Sequence, residues 1–477
     1  MRWTPLLIAL LVQAALLLWR LDRLPVWGDE QFTLHVAGLP WREIGEALRR
    51  DIHPPLYFAF AKLVGADVVR LRAFSALTVL ATTLAFDRIV LAGRSEAVRR
   101  WTLAAWALSP AVVLYGRMAR SYALQTFVAL LAIFLAMRLL EKPSRTRIAG
   151  VGAALAALLY THYLPGLVVG AALAACGIAL RRREALWALA LAGAAYLPWV
   201  AVLAEGVARA ADKSVYALSG SWFAELPVRA GYSAVGLFAG EAHTVVTFAL
   251  SLLACAGLAV ALQLGWRREP SALRLFLLVA AVVGFLGGAK WVSFPFMPAR
   301  LLWLLPWLLV IVVSGAVGLR FARIALGVWL ALLGTGQALY VRQEGFLNKG
   351  YLVDSRAIAQ RVAGVGLVLA DATNFDPSAL DAALPPGRVL RIANDAAAES
   401  ALAKAVEAGG VIWHVRAVRD VSAGRIQDEV DQKLEAAGFR KTVTPLLDYS
   451  PLDRLLLRAM GDSQPPEHYF VLVELRR

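Results

Sequence analysis

Residues 301–319 read "LLWLLPWLLVIVVSGAVGL", 19 positions without one ionisable side chain, with Arg300 before them and Arg320 and Arg323 after. A helix needs roughly 20 apolar residues to cross the hydrocarbon core of a bilayer, so this stretch reads as a membrane span. Ten further stretches have the same character: 4–21, 70–92, 101–115, 121–140, 148–163, 165–180, 185–203, 242–265, 272–289 and 323–341. Those at 101–115 and 148–163 are short for the purpose. Segment 4–21 has the look of a signal peptide, but no small-residue cleavage site follows it and more spans do, which favours a retained helix. The whole chain agrees: 59% of its 477 residues are hydrophobic, 17% are charged and the mean hydropathy is +0.62. A soluble domain has a more polar surface than that. The expected fold is an α-helical polytopic membrane protein of about eleven transmembrane helices, with a small C-terminal α/β extracytoplasmic domain.

The formal net charge is +15. Compact basic clusters occupy every second loop: Arg94, Arg99 and Arg100; Lys142, Arg145 and Arg147; Arg181 to Arg183; Arg267 and Arg268; Arg320 and Arg323. This is the pattern of cytoplasmic loops under the positive-inside rule, and it accounts for the charge without nucleic acid as a partner. The first loop also carries Arg42, Arg49 and Arg50, so density rather than raw count sets the orientation. The N-terminus is then inside, and 22–69, 116–120, 161–164, 204–241 and 290–300 lie outside, in a multi-pass protein of the cytoplasmic (inner) membrane. Cys176 and Cys255 fall within apolar spans and read as small packing residues rather than a disulfide or metal ligands.

Past residue 341 the composition changes, dividing the chain into a membrane domain, 1–341, and a soluble domain, 342–477. The second holds short apolar runs, "GLVLAD" (366–371), "RVLRIA" (388–393), "VIWHVR" (411–416) and "YFVLVEL" (469–475). Helix-like segments lie between some of them, one ending at paired glycines, so a small α/β domain is expected. It has no phosphate-loop or dinucleotide fingerprint, and no cofactor is expected. In the first outer loop, 22–69, "WREIGEALRR" (41–50) is amphipathic, and "LYFAFAKLVG" (56–65) is apolar but too short to span. Both read as helices in the interface plane. The 204–241 loop, with Trp222, Phe223, Tyr232 and Phe238, reads as interfacial too.

Ionisable residues gather at the outer ends of the spans. "WGDEQFTL" (27–34) puts Asp29 and Glu30 just beyond the first span, where a carboxylate near lipid is costly unless functional or paired. Asp is also a favoured helix cap, and the pair alone does not choose between the two readings. "DIHPPLYF" (51–58) brings His53 and Tyr57, with Pro55 placed to start a helix. "YGRMARSYAL" (115–124) holds Arg117, Arg120 and Tyr122. The arginines lie three apart, on one face if the segment is helical, where topology alone does not ask for arginine; snorkelling to headgroups is the bland alternative. "YTHYLP" (160–165) is a tight turn with His162 and Tyr163, and "KWVSFPFMPAR" (290–300) adds Lys290 and Arg300. His243 reads as an interfacial residue, and His35 as facing the solvent or its own helix. Arginine is permanently charged and fork-shaped, suited to clamping a phosphate. A carboxylate with several cations is what displacement of a phosphate leaving group requires. A divalent ion beside the acidic pair would need further ligands that the sequence does not offer, so no metal is expected.

The order and spacing of these elements, from the acidic pair through "HPPLY", "RMARSYAL" and "THY" to "PAR" with "LLWLLP", resembles the C-type-fold glycosyltransferases. More narrowly, it is similar to the group holding protein O-mannosyltransferases and the lipid A aminoarabinose transferase. The resemblance covers residues 1 to about 341. It implies an inverting transfer of a sugar from a polyprenyl-phosphate donor to an acceptor hydroxyl outside the cytoplasmic membrane. It further implies Asp29 as the base with Glu30 supporting it, Arg117 or Arg120 on the donor phosphate, and His53 in the loop motif. Lys290 and Arg300, on the same outer side, are read as further cations for that phosphate. The C-terminal domain does not look like the β-trefoil of protein O-mannosyltransferases, which leaves the acceptor open among glycan, lipid and protein. Two other classes compete. A transporter or flippase usually places its binding residues at the midplane on repeated, broken helices, which this chain lacks in evident form. A membrane sensor leaves the outer motifs unexplained.

Overall fold

A computed structural model describes residues 4–50, 53–211, 223, 225–292, 297–372, 377–418, 424–459 and 463–477. They form two compact units, one of residues 1–21 with 33–344 and one of residues 22–32 with 345–477. The expectation about Trp222 lies outside the described residues.

The described residues of the first unit are mostly helical. Seven of its helices are long and apolar enough to cross a membrane: Val68–Ile89, Tyr122–Glu141, Arg183–Ala208, Val245–Trp266, Ser271–Trp291, Met297–Ala316 and Ala322–Arg342. Thr4–Leu18 and Tyr163–Ala179 are apolar but shorter. The fold is therefore that of a multi-pass membrane protein, with seven qualifying spans rather than a settled eleven. The segment expected to span at 101–115 is two helices, Glu96–Leu108 and Pro110–Gly116. Proline cannot continue a helix; here Pro110 opens the second one, and the Ser109 side chain caps it by accepting from the Val112 N–H at 3.3 Å. Trp41–Arg50 and Pro55–Val64 are helices as expected, the latter with Pro55 in its first turn.

Charge inside this unit is neutralised with care. Arg99 grips Asp87 with two bonds, at 2.5 and 2.9 Å, and Arg94 grips Glu269 at 2.6 and 2.7 Å. Arg229 is fully buried, bound to Glu225 at 2.9 and 3.0 Å, and donates to the Val292 carbonyl at 3.2 Å. Elsewhere, helices meet through their backbones. A Cβ on Gly265 would lie 1.8 Å from the Ile311 carbonyl oxygen, and one on Gly315 would lie 1.9 Å from that of Ala261. Small residues one turn apart allow this approach, a common device where lipid offers no hydrophobic drive for association.

The second unit contains a five-stranded sheet in the order β2-β1-β3-β5-β4, where β1 is Leu367–Asp371, β2 Val389–Ile392, β3 Val411–Ala417, β4 Arg440–Asp448 and β5 His468–Arg476. β2, β1 and β3 run parallel, and β5 is antiparallel to both β3 and β4. Alternate residues feed two cores, Val368, Val415 and Leu472 on one face and Leu369, Ile412 and Val473 on the other. The Asp395–Ala408 helix ends at Gly409 and Gly410, both with positive φ. β4 was not expected from sequence. It is an edge strand, mostly exposed and interrupted by Pro445, and an edge is where a sheet tolerates proline.

Beneath the sheet lies a buried polar knot. Asp371 accepts from the Ala417 N–H and from Gln427 Nε2, at 3.3 and 3.2 Å. Gln427 Oε1 then faces His414 Nε2 at 2.8 Å, and His414 Nδ1 meets Asp431 at 2.7 Å. Arg416 and Lys441 also reach Asp431, each at 3.1 Å. Burial pushes the Asp431 carboxyl up, but the His414 hydrogen bond and the charges of His414, Arg416 and Lys441 together hold it at about 2, against an ordinary 3.8. The stabilisation this lends is complete above the ordinary value and is lost as the pH falls towards 2.

Two outcomes are expected. Gly315→Val should lower the unfolding temperature in detergent, at a cost of about 1–3 kcal/mol or more for overpacking against rigid backbone. Gly257→Ala, in the same bundle but with open space at its Cβ, should not. Asp431→Ala removes the buried partner of His414, Arg416 and Lys441, a loss of about 1–3 kcal/mol, and should make residues 345–477 the first part of the chain cut in limited proteolysis.

Candidate functional site

Residues 116–120 were expected to lie outside as a short loop between spans, with both arginines on one face if the segment is helical. The structure has the turn rather than a continuous helix. The Pro110–Gly116 helix ends with Arg117 at its C-cap, residues 117–121 form a turn, and the next helix starts at Tyr122. The turn sends the two guanidinium groups to different places. Arg117 donates to the carbonyls of Leu16, Trp19 and Arg20, at 3.1, 2.7 and 2.6 Å, and lies 5.5 Å over the Tyr340 ring. It closes the end of the first helix, where carbonyls lack intrahelical donors. Arg120 is buried at 1% exposure; its Nη2 sits 2.6 Å from His53 Nε2 and its Nη1 donates to Thr33 Oγ1 at 3.2 Å.

Arg300 comes from another element, Met297–Leu301. Its backbone is anchored on both sides: Gln125 donates to the Ala299 carbonyl at 3.0 Å and Trp303 to the Arg300 carbonyl at 2.9 Å. Its guanidinium lies 5.2 Å over the ring of Tyr122 and its Nη1 is 2.8 Å from His162 Nε2. Among the described residues, Arg300 has no carboxylate partner. His162 fills the single-residue turn between two helices, Arg145–Thr161 and Tyr163–Ala179. Burial, then the charges of Arg300, His53 and Arg120, keep its imidazole well below the usual histidine range and so neutral. A neutral ring has one lone pair. It cannot accept from Arg300 at Nε2 and also cap the helix by accepting from the Leu164 N–H at Nδ1, 3.2 Å away. The neutral ring can serve one of these two donors at a time.

The structure thus brings together Arg120, His53, Arg300, His162 and Tyr122. The other expected residues have surroundings of their own. Lys290 is exposed, with its ammonium 5.4 Å over Trp291 rather than among these groups. Tyr163 accepts from Trp199 Nε1 at 3.0 Å, and Tyr57 is buried edge-on against Phe58. Asp29 and Glu30 occupy the first turn of the Gly28–Gly38 helix rather than its cap, Glu30 fully buried. Negative charge in a first turn also suits the helix dipole. Their segment, 22–32, belongs to the second unit, where Trp27 packs edge-on against Tyr351 and Gln31 donates to Ser355 at 3.1 Å. His243, expected at the interface, is buried, with Nε2 2.8 Å from the Gly240 carbonyl. Among the described residues no cluster of three or more His, Cys, Asp or Glu stands in a metal-binding arrangement. Thr33, Tyr115 and Glu241 were missed; a lone carboxylate opening an apolar span, as in "GEAHT" (240–244), is the signal that was there to read.

No protein-family model matches the sequence, and no curated protein matches it. Solved structures do. ArnT from Cupriavidus metallidurans bound to undecaprenyl phosphate aligns over 99% of this chain and 97% of its own, with a TM-score of 0.52 at 13% identity; the apo form gives the same coverage at 14%. An Archaeoglobus fulgidus oligosaccharyltransferase, in complex with Zn and sulfate, aligns over 86% of this chain and 67% of its own, also at 0.52 and 13%. The chain therefore has the C-type glycosyltransferase fold.

Arg117→Ala should lower the unfolding temperature, since three carbonyls lose their donor, at about 1–3 kcal/mol. Lys290→Ala should leave it unchanged. Differential scanning fluorimetry of the two purified variants checks the contrast.

Proposed function

We propose that this chain is an inverting glycosyltransferase that moves a sugar from a polyprenyl-phosphate donor to an acceptor hydroxyl on the outer side of the cytoplasmic membrane. One observation carries the reading: Arg300, a cation without a carboxylate, sits with Arg120 in a helical bundle whose fold is shared with a protein solved with undecaprenyl phosphate. Three other arginines in the same unit are neutralised by Glu or Asp. A half-buried charge without a counter-ion among the described residues is suited to an anion, and the donor's phosphodiester, or the polyprenyl phosphate that departs, supplies one. Two forked guanidinium groups match its oxygens.

In the reaction, the acceptor oxygen attacks the anomeric carbon and gives its proton to Asp29. The bond from that carbon to the phosphate oxygen breaks, its electron pair leaves with polyprenyl phosphate, and the anomeric configuration inverts. Arg120 and Arg300 stabilise the charge that develops on the departing phosphate, with Glu30 supporting Asp29. The N-terminus lies inside and residues 342–477 form an extracytoplasmic domain.

Two experiments test the reading. Arg120→Ala and Arg300→Ala should each bind undecaprenyl phosphate at least about tenfold more weakly, one charge-assisted pair being worth roughly 1.5–3 kcal/mol; unchanged affinity in both moves the phosphate site elsewhere. In a deletion strain, mass spectrometry of glycolipids, envelope polysaccharides and glycoproteins should reveal a missing sugar. Wild-type protein should restore it and Asp29→Asn should not, a lost general base costing about 10²–10⁴ in rate. Full restoration by that variant removes Asp29 from the role.

A further inference from the structure

Glu241 is a carboxylate that the reaction above does not use. It is 1% exposed, lies between two helices, Leu226–Phe238 and Val245–Trp266, and has one hydrogen bond among the described residues, from the Tyr115 hydroxyl to Oε1. The backbone around it is wedged against the elements that carry the cations. Gly240, at φ +93°, approaches Pro110 so closely that a Cβ would lie 2.5 Å from the proline ring; a Cβ on Gly236 would meet Pro298 at 2.5 Å. Pro110 opens the helix that ends at Arg117, and Pro298 lies two residues before Arg300. Only glycine fits at either place.

From Glu241 a chain of contacts runs to the cation. Tyr115 meets Tyr122 edge-on, ring centroids 5.5 Å apart at 71°, and the face of Tyr122 lies under the Arg300 guanidinium. An aromatic pair of this geometry is directional, since the edge of one ring seeks the face of the other. A cation held by a ring face and a shared lone pair depends on where that ring sits. Burial raises the Glu241 carboxyl to about 8, against the opposing hydrogen bond from Tyr115. Near neutral pH the group is thus mostly the neutral acid, needing no counter-cation, and holds Tyr115 without competing for Arg300. Tyr232, on the Leu226–Phe238 helix, and His243 are the other titratable groups beside it.

We infer that Glu241 is a positioning residue for the donor phosphate site: through Tyr115 and Tyr122 it sets the place of Arg300. The inference rests on the proposed function, because the phosphate is that of the proposed donor.

The test measures binding of undecaprenyl phosphate to the purified full chain and to Glu241→Ala, Glu241→Gln, Tyr115→Phe and the Glu241→Ala/Tyr115→Phe double variant. Glu241→Ala and Tyr115→Phe should each weaken binding about five- to tenfold, and the double variant should be no weaker than the worse single one, since both break one link. Glu241→Gln, which keeps an acceptor for the Tyr115 hydroxyl, should recover most of the loss, which a general packing defect would not predict. Tyr115→Phe keeps the ring and so keeps the test readable if Glu241→Ala unfolds. Wild-type affinity in Glu241→Ala and Tyr115→Phe, losses that multiply in the double variant, or a Gln variant as weak as Ala would overturn the inference. A wild-type chain that takes up no undecaprenyl phosphate would instead overturn the donor reading itself, and the inference with it.

Discussion

Arg300 is a half-buried guanidinium without a carboxylate among the described residues, and this sets it apart from the carboxylate-bound arginines of the first unit. Arg94, Arg99 and Arg229 show what the same chain does with a structural arginine: each is gripped by two bonds to one carboxylate. Arg300 receives a neutral imidazole and a ring face instead. The backbone of Arg300 is anchored by Gln125 and Trp303, while its guanidinium meets the His162 ring nitrogen and the face of Tyr122.

The membrane fold was legible because it rests on a coarse signal. A run of about 20 apolar residues suits a bilayer crossing and little else, and the helices fall where those runs are. The soluble domain was legible for a similar reason: four strands are bounded apolar runs, and Gly409 and Gly410 mark a helix end. β4 escaped because an exposed edge strand lacks the buried alternation that betrays an inner one.

The site was legible in its residue types and less so in their assignments. His53, Arg120, His162 and Arg300 were named from the sequence and meet in space. Arg117 and Arg120 were given as alternatives for one task, and the turn over 117–121 gives their guanidinium groups different partners. Which of two arginines caps a helix and which stays within a cluster is decided by carbonyls about 100 positions away in the chain, beyond the reach of local pattern. Glu241 was hidden for the same reason, since its meaning lies in Tyr115, 126 positions earlier.

The contact of Gly265 and Gly315 with opposing main chain has a mechanical consequence. Side chains can rotate aside to let a neighbour slip past, but two backbones in contact have nothing to move. That seam works as a keel. Any opening of the bundle must follow some other line, where flexible side chains rather than carbonyls separate the helices.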